Sequence, residues 1–239
     1  MNSNTISILK KAVAHKAVSY LEPGMFVGLG HGSTAAFAVN RIAELIHKGL
    51  LHDILCIPCS KQVEAAAQDL GIPLTTIEAH PIIDITIDGA DEVDPELNLI
   101  KGGGGALLSE KIVAQASRRE IIIIDESKLS PVLGTRCAVP VEVVTFGLAA
   151  HKAYIESLGA SVRIRTTDDK ELFKTDHGNV ILDCVFHSID HPETLSHDLK
   201  KHAGIVEHGL FLGMATDILV SGASGITHLT KENQQGLLS

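Results

Sequence analysis

Three things are scarce in this sequence of 239 residues: long apolar runs, cysteine and positive charge. No apolar run approaches the roughly 20 residues that a membrane-spanning helix needs, and the N-terminus lacks the pattern of a secretory signal. Four cysteines in a chain of this length do not suggest a disulfide framework. The formal net charge of -9 argues against nucleic acid as a partner. We therefore expect a cytoplasmic protein that binds neither a membrane nor nucleic acid.

The most regular feature of the sequence is an alternation of strand and helix patterns. Hydrophobic residues make up 45% of the chain, so it can bury a full core. Over the first 125 residues, short β-branched runs alternate with amphipathic segments, which predicts an α/β fold with a doubly wound, mostly parallel Rossmann-like sheet. The predicted strands are residues 25–29, 54–58, 74–77, 82–87 and 120–125, and the predicted helices are residues 6–20, 35–48, 60–70 and 106–118.

After residue 131 the pattern changes to that of a smaller α+β unit. Strand, helix, strand, strand, helix and strand follow one another, which is the order of a ferredoxin-like fold. The strands of this unit are predicted at 139–144, 161–165, 180–186 and 204–207, and its helices at 147–158 and 191–202. Residues 209–220 are predicted to form one further strand that returns to the first sheet. We expect a Rossmann-like catalytic domain of residues 1–133 and 208–239, with residues 134–207 inserted as a ferredoxin-like domain.

The loop after the strand at 82–87 is the first candidate for a ligand site. Ligands of open α/β sheets bind at the carboxyl ends of the strands, and Asp88, Gly89, Ala90 and Asp91 lie at such an end. Gly89 lets the loop turn without a Cβ penalty, so Asp88 and Asp91 can point into the same crevice. Two carboxylates placed this closely tend to have pKa values that move apart, which suits the handling of protons.

The second candidate is a run of four glycines that follows Lys101. Gly102 to Gly105 precede the helix predicted at 106–118, and the bare N–H groups at a helix start form an anion site. Each glycine costs roughly 0.5 to 1 kcal/mol of backbone entropy relative to alanine, so four in a row are hard to explain unless a ligand needs the backbone. Glu110 and Lys111 lie on the first turns of this helix, where a carboxylate can face back toward the glycine loop.

The third candidate is the loop of residues 28–34, GLGHGST, between the first strand and the next helix. Strand, glycine loop and helix in this order suit anion binding. The loop is not a dinucleotide fingerprint, because Ser33 occupies the third glycine position, and it is not a Walker loop. The hydroxyls of Ser33 and Thr34 predict a single phosphate as ligand, and a purely structural turn is the alternative. Lys128 follows the strand at 120–125, at the same ligand-binding end of the sheet, and is a candidate partner of the phosphate.

These groups together suit proton transfer next to a carbonyl. A base removes a C–H proton, an ammonium and amide N–H groups stabilise the enolate, and further carboxylates manage hydroxyl protons. The alternative is a solvated acidic loop with Lys101 as a surface charge. We expect no redox or metal site, because Cys56 of the Cys56-Ile-Pro-Cys59 motif lies in an apolar strand and the 13 histidines lack metal-ligand spacing.

Seven motifs occur in one order along the chain: VGLGHGSTA, DGADEVD, KGGGGALLSEKI, DESK, VPVEV, GNVILDC and GLFLGMA. In this order they resemble the ribose-5-phosphate isomerase A family over essentially the whole chain, and KGGGG combined with DGAD is highly specific. The resemblance implies interconversion of D-ribose 5-phosphate and D-ribulose 5-phosphate through an enediolate, in the pentose phosphate pathway. It also implies that no metal or organic cofactor takes part, and that the protein is a homodimer or a homotetramer.

The resemblance implies a role for each candidate residue. Glu110 matches the family's base, which moves the proton between C1 and C2. Asp88, Asp91 and Lys101 match the residues that hold the sugar and assist ring opening and oxyanion stabilisation. The implied contacts to the sugar and the phosphate are His31, Gly32, Ser33, Thr34, Gly89, Ala90, Gly102, Gly103, Gly104 and Lys128.

One position departs from the family pattern. The first glycine loop of the family usually reads GTGST, whereas His31 stands at the threonine position here, so an imidazole replaces a hydroxyl. The reaction type is unaffected. Two alternatives stay open for His31: a protonated ring that binds the phosphate, or an outward ring with only the backbone N–H facing the ligand.

Two rival functions are compatible with related folds. A sugar-phosphate sensor would need the anion loops but not Glu110, and regulators of this type carry an N-terminal DNA-binding module, for which we expect no room before the first strand. A coenzyme A transferase would use a nucleophilic glutamate and would normally need a longer chain or a partner subunit. The isomerase is therefore the expected function.

Overall fold

The computed structural model describes residues 3–232, which form six α-helices and thirteen β-strands. The helices are α1 (Ser3–Val18), α2 (Ala35–His47), α3 (Lys61–Asp69), α4 (Leu107–Ala116), α5 (Leu148–Ser157) and α6 (Pro192–Lys201). The strands are β1 (Phe26–Leu29), β2 (Leu55–Pro58), β3 (Ile85–Asp88), β4 (Glu92–Val93), β5 (Leu99–Ile100), β6 (Glu120–Asp125), β7 (Val139–Val143), β8 (Ser161–Ile164), β9 (Val180–Val185), β10 (Ile205–His208), β11 (Leu210–Phe211), β12 (Asp217–Gly222) and β13 (Gly225–Thr230). Within these residues, no helix combines the length and the apolar content that crossing a bilayer requires.

The chain divides into two compact units. The first unit consists of the residues up to Ala90, Ser109–Leu129 and the residues from Gly213 onward, and the second consists of Asp91–Leu108 and Ser130–Leu212. The second unit thus contains residues 91–108 in addition to the stretch 134–207, for which the sequence predicts an inserted domain. Residues 1–2 and 233–239 of the predicted first domain lie outside the described residues. The predicted domain boundaries stay a prediction.

The first unit contains a six-stranded sheet in the order β13-β12-β6-β3-β1-β2. All neighbours are parallel except β12 and β13, which confirms the predicted doubly wound, mostly parallel fold. Successive side chains of a strand face opposite sides of a sheet. On one face Val27 and Ile85 pack with residues of α1, α2 and α3, and on the other Ile57 packs with Val113 of α4.

Gly28 is required by the packing of two strands. It pairs with Thr86 of β3, and a Cβ at position 28 would lie 1.8 Å from the Thr86 hydroxyl oxygen. That hydroxyl is buried and lies 2.7 Å from the Ser117 hydroxyl, so it cannot move aside cheaply. The first glycine of the GLGHGST loop therefore serves the close approach of β1 to β3.

The second unit contains a four-stranded antiparallel sheet in the order β10-β7-β9-β8. With α5 and α6 this is the predicted ferredoxin-like arrangement, which the structure confirms. Val139, Val141 and Val143 alternate along β7 and pack with Ile155 of α5 and Leu199 of α6. A separate three-stranded sheet, β11-β5-β4, was not predicted.

Two strand predictions are wrong. Residues 74–77 form only an isolated bridge between Leu74 and Cys56, because the chain turns at Thr76, whose hydroxyl and carbonyl accept bonds from the two N–H groups of Ala79 and His80. Residues 209–220 are not one strand but contain β11 and the start of β12, which belong to different sheets. Gly213 between them has φ +64°, a left-handed conformation that ends a strand. The hairpin strand β13 was not predicted either.

A partly buried ion pair joins the start of β6 to the start of β12. Nε and Nη2 of Arg119 each donate to a carboxylate oxygen of Asp217 at 2.8 Å, and His228 Nε2 lies 2.6 Å from the same carboxylate. The side chain of Asp217 is only 8% exposed. Burial raises the pKa of Asp217, but the hydrogen bonds, led by that of Arg119, outweigh burial and lower the pKa to about 2.

We predict that this pair stabilises the fold in a pH-dependent way. The pKa of Asp217 is 3.8 in the unfolded chain and about 2 in the folded one, so the stabilisation is complete above pH 4 and is lost as the pH falls toward 2. Asp217→Asn should lower the free energy of unfolding at pH 7 by about 2 kcal/mol and flatten its decline between pH 4 and 2. Urea unfolding across this range measures both effects.

Glu44 provides the matched control. Hydrogen bonds from Lys48 and Arg41 lower its pKa to about 2 as well, but the three side chains lie at the surface. Exposed ion pairs contribute little to stability. Glu44→Gln should therefore leave the unfolding curve nearly unchanged, and a loss of unfolding free energy at pH 7 as large as that of Asp217→Asn would contradict the prediction.

Candidate active site

Asp88 joins the carboxyl ends of β1 and β3. Its side chain is 1% exposed, and Oδ1 accepts hydrogen bonds from the backbone N–H of His31 at 3.0 Å and of Gly89 at 2.6 Å. A Cβ at Gly30 would lie 2.3 Å from the Asp88 carboxyl carbon and 2.5 Å from its Cα. The sheet order places this contact where the chain first moves from one side of β1 to the other, which is where open α/β sheets bind ligands.

The loop from His31 to Thr34 lies next to this contact, as the sequence predicts. Gly32 and Ser33 are exposed, and the Ser33 hydroxyl accepts a hydrogen bond from Nζ of Lys10 on α1 at 2.8 Å. Thr34 directly precedes α2 and makes no side-chain cap, so N–H groups of the first turn lack that partner. Lys10 brings a positive charge to this loop, and the sequence offered no signal for it.

The imidazole of His31 turns toward α3. Nδ1 lies 3.0 Å from the Ser60 hydroxyl, which caps α3 by accepting the N–H of Val63 at 3.1 Å. His31 also lines a cavity of about 340 Å³ with residues of α2 and α3, including Val39 and Val63. The backbone N–H of His31 donates a hydrogen bond to Asp88, and its ring contacts the Ser60 hydroxyl. This residue therefore links the glycine loop to the start of α3.

Lys128 follows β6, the strand beside β3. It ends a short 3-10 turn, Glu126–Lys128, that Asp125 caps by accepting hydrogen bonds from the N–H and the hydroxyl of Ser127. Lys128 is partly exposed. Within the first unit, the structure thus brings Asp88, the His31 loop and Lys128 to the carboxyl ends of three adjacent strands.

Glu110 lies on the first turn of α4 in the first unit. Its side chain is 5% exposed and that of Lys111 is 4% exposed. The helix begins at Leu107, two residues after the last glycine of the run, so the predicted placement of the carboxylate on the first turns is confirmed. Carboxylates are rarely buried to this extent, so Glu110 does not belong to a solvated acidic surface segment.

Asp91 and the second glycine loop meet in the second unit. Oδ2 of Asp91 accepts the N–H of Gly103 at 2.8 Å, and the backbone N–H of Asp91 bonds to the carbonyl of Ile100. Gly103 and Gly104 are exposed, so their backbone can be reached by a ligand. Asp91 is partly exposed, in contrast to Asp88.

Packing accounts for part of the glycine run. Gly102 has φ +100° and a Cβ there would lie 2.7 Å from Leu107, whereas Gly105 has φ +89° and a Cβ there would lie 2.4 Å from the Phe173 ring. The expectation that the run exists only for a ligand is therefore incomplete, because two of its glycines are needed for the turn itself.

Lys101 is buried, which excludes a surface charge at this position. Its side chain is 1% exposed, its backbone N–H donates to the carbonyl of Gly209, and Nζ lies 5.4 Å from the centre of the Phe211 ring. The negative face of an aromatic ring stabilises an ammonium at this distance. The side chain of Lys101 is therefore held in place directly before the glycine loop.

Both cysteines of the Cys56-Ile-Pro-Cys59 motif lie in the core. Cys56 and Cys59 are buried, and burial raises the pKa of the Cys56 thiol to about 12. A thiol with so high a pKa is a poor nucleophile and a poor metal ligand at neutral pH. Among residues 3–232, no group of histidine, cysteine, aspartate or glutamate side chains is arranged to hold a metal ion.

Known proteins resemble this chain closely. The family model for ribose 5-phosphate isomerase A (phosphoriboisomerase A) matches residues 55–225. Ribose-5-phosphate isomerase A of Chloroflexus aurantiacus is 53% identical over 96% of this chain and 96% of its own. The chain belongs to the ribose 5-phosphate isomerase A family.

Solved structures of the family have the same fold. Ribose 5-phosphate isomerase from Plasmodium falciparum superposes with a TM-score of 0.92 at 44% identity, covering 95% of this chain and 99% of its own. A D-ribose-5-phosphate isomerase in complex with phospho-erythronic acid has a TM-score of 0.92 at 35% identity, covering 96% of this chain and all of its own. The predicted family and fold class are confirmed.

Sequence reasoning missed two charged side chains of the second unit that hold the loops of this isomerase-family fold. Glu92 is fully buried and accepts the N–H groups of Gly134, Thr135 and Cys137, each at 3.2 Å. Burial raises its pKa, but hydrogen bonds from Ser130, Cys137 and Thr135 outweigh it and lower the pKa below the ordinary value. The second is Arg165, which contacts the glycine loop. Both act on residues more than 40 positions away, where local patterns give no signal.

We predict that Gly30→Ala disrupts the Asp88 contact. The added Cβ would overlap both the carboxylate and the backbone of Asp88, so one of the two strands must shift, at a cost of roughly 1–3 kcal/mol in stability. Thermal and urea unfolding measure this loss. Gly89→Ala is the control in the same region, because a Cβ there would meet nothing nearer than 3.9 Å. Equal stability of both variants would contradict the assignment.

Proposed function

We propose that this chain interconverts D-ribose 5-phosphate and D-ribulose 5-phosphate through an enediolate, in the non-oxidative pentose phosphate pathway. The observation that carries the proposal is family membership over nearly the whole chain, combined with a buried glutamate and a buried lysine at the motif positions of the family. One relative binds phospho-erythronic acid. This is a phosphorylated four-carbon sugar acid whose negatively charged oxygens resemble those of an enediolate.

Glu110 is proposed as the base. In the forward direction its carboxylate takes the proton from C2 of the open-chain aldose, and the electrons move toward the C1 oxygen to give the enediolate. The proton of the C2 hydroxyl then moves to the C1 oxygen, and the return of the first proton from Glu110 to C1 leaves the C2 oxygen as the carbonyl of the ketose. The burial of Glu110 supports this role, since a base shielded from water can return the same proton to the neighbouring carbon.

Lys101 is proposed to stabilise the oxyanion. Its ammonium is buried in the second unit and lies over the Phe211 ring, so its charge is fixed in place and poorly screened by water. The N–H of the exposed Gly104 is proposed as a further donor, because the N–H of Gly103 already donates to Asp91. Because the oxyanion carries full charge only during the reaction, these groups lower the barrier more than they strengthen substrate binding.

The two aspartates are proposed to differ in role. Asp91 is partly exposed and can accept a proton from a sugar hydroxyl during ring opening. Asp88 is buried and bonded to two backbone N–H groups, which suits the orientation of a hydroxyl.

The phosphate is proposed to bind the His31–Thr34 loop together with Lys128 and Lys10, which donates a hydrogen bond to Ser33 of this loop. Catalysis without a metal, a homodimeric or homotetrameric assembly and a cytoplasmic location stay predictions from the resemblance and the sequence.

The first test is conversion of ribose 5-phosphate to ketose by the pure protein in the presence of EDTA. We expect turnover with EDTA, and Glu110→Gln should lower kcat by about 100-fold or more with little change in KM, because it keeps size and removes the base. Glu64→Gln is the control, since Glu64 also lies on the first turn of a helix but is exposed. Absence of turnover in the natural protein rejects the function, and near-normal turnover of Glu110→Gln rejects only the assignment of the base.

A second prediction concerns His31. Its ring contacts Ser60 and its N–H donates to Asp88, so we expect the backbone of Gly32 to Thr34 and not the His31 imidazole to bind the phosphate. KM for ribose 5-phosphate, measured from pH 6 to 8, should then follow parallel profiles in the natural protein and in His31→Thr, both reflecting the second ionisation of the phosphate near pH ~6. A rise of KM with pH in the natural protein alone would place a protonated imidazole on the phosphate.

A further inference from the structure

Arg165 contacts the backbone of the second glycine loop. Nη1 donates to the carbonyl oxygens of Gly102 at 3.0 Å and of Gly103 at 3.1 Å. These three residues belong to the second unit, and Arg165 directly follows β8. One guanidinium nitrogen thus holds two consecutive peptide groups of the loop.

The guanidinium of Arg165 is itself fixed by Asp183. Nε donates to Oδ2 at 3.2 Å and Nη2 donates to Oδ1 at 2.5 Å, which is a two-pronged pair with both carboxylate oxygens in use. The two side chains are only 14% and 11% exposed. The backbone N–H of Arg165 donates to the carbonyl of Ile181 of β9 at 2.9 Å, which continues the pairing of β8 with β9. Such a pair holds the guanidinium plane in one orientation.

This orientation determines where the loop's N–H groups point. In a trans peptide the C=O and the following N–H point in opposite directions. The carbonyl of Gly102 faces Arg165, and the N–H of Gly103 accordingly points the other way, to Oδ2 of Asp91 at 2.8 Å. The carbonyl of Gly103 also faces Arg165, which directs the N–H of Gly104 away from the guanidinium. Gly104 is exposed, so that N–H can meet a ligand.

We propose that Arg165, held by Asp183, is a positioning residue for the isomerase reaction. It fixes two peptide planes so that the Gly103 N–H holds the Asp91 carboxylate and the Gly104 N–H is presented to the oxygen that becomes negatively charged. The positive charge on the carbonyl side also polarises both peptide groups and strengthens their N–H donors. This inference rests on the proposed function, because it concerns donors to that reaction's oxyanion.

Arg163 of β8 offers a matched control. It lies two residues before Arg165, and Nη2 lies 3.6 Å from the same Asp183 carboxylate. Its side chain is 83% exposed, and no hydrogen bond from it to the glycine loop is present among the described contacts. Replacing Arg163 therefore removes a similar charge beside Asp183 without releasing the loop.

The experiment compares Arg165→Gln, Arg165→Lys, Asp183→Asn and Arg163→Gln with the natural protein. For Arg165→Gln we expect kcat for ribose 5-phosphate to fall about 10- to 100-fold with KM within about threefold, since losing one oxyanion donor outright costs about 100- to 1000-fold in a well-studied protease. Arg165→Lys should recover part of kcat, because an ammonium can still donate to a loop carbonyl. Asp183→Asn should lower kcat less than Arg165→Gln, and Arg163→Gln should keep kcat within twofold.

Binding measurements separate positioning from general damage. Affinity for 4-phospho-erythronic acid should fall in Arg165→Gln by about the same factor as kcat/KM, whereas affinity for inorganic phosphate should stay within about twofold. Unchanged kcat in Arg165→Gln, or equal losses for both ligands, would overturn the proposal. If Arg165→Gln does not fold, Arg165→Lys and Asp183→Asn decide by the same criteria. If the natural protein lacks isomerase activity, the proposed function fails, and the affinities for the two ligands still decide the role of Arg165.

Discussion

The hydrogen bonds to the Asp88 carboxylate set the geometry of the first unit's candidate site. A carboxylate 1% exposed is stable only when its oxygens are satisfied, and here two backbone N–H groups donate to Oδ1. This need fixes the loop after β1 against the end of β3, and it explains why position 30 tolerates no side chain. The same contact leaves Gly32 and Ser33 exposed before α2, where an anion can approach.

In the first unit the backbone holds a charged side chain, whereas in the second unit charged side chains hold the backbone. There the backbone of the glycine loop is held from both sides by charged side chains, Asp91 at one N–H and Arg165 at two carbonyls. In a flexible loop, the N–H groups would have to be ordered during the reaction, and this ordering would cost conformational entropy. Fixing the peptide planes in advance removes that cost from the reaction, which is the physical content of preorganisation.

The sequence predicted the local parts of this protein well. Strand and helix periodicity, the position of Glu110 on a first helical turn and the ferredoxin-like order depend on neighbouring residues, and the structure confirms them. What it could not predict are partners set by the fold: Arg165 lies 62 and 63 residues from the carbonyls that it holds, and Glu92 binds N–H groups more than 40 residues away. The split of residues 209–220 into two strands had a local cause, the left-handed Gly213, but glycine alone does not reveal its φ.

His31 shows how the fold accommodates an imidazole at this position of the loop. An imidazole is larger than a threonine side chain and needs a hydrogen-bond partner when half buried. The Ser60 hydroxyl, already the cap of α3, supplies that partner, and the cavity beside α2 and α3 gives the ring room. Because the contact to Asp88 uses only the backbone N–H, any residue other than proline at position 31 can keep it. The constraint on this position is therefore on the main chain, and the side chain is free to differ as long as Asp88 stays bonded.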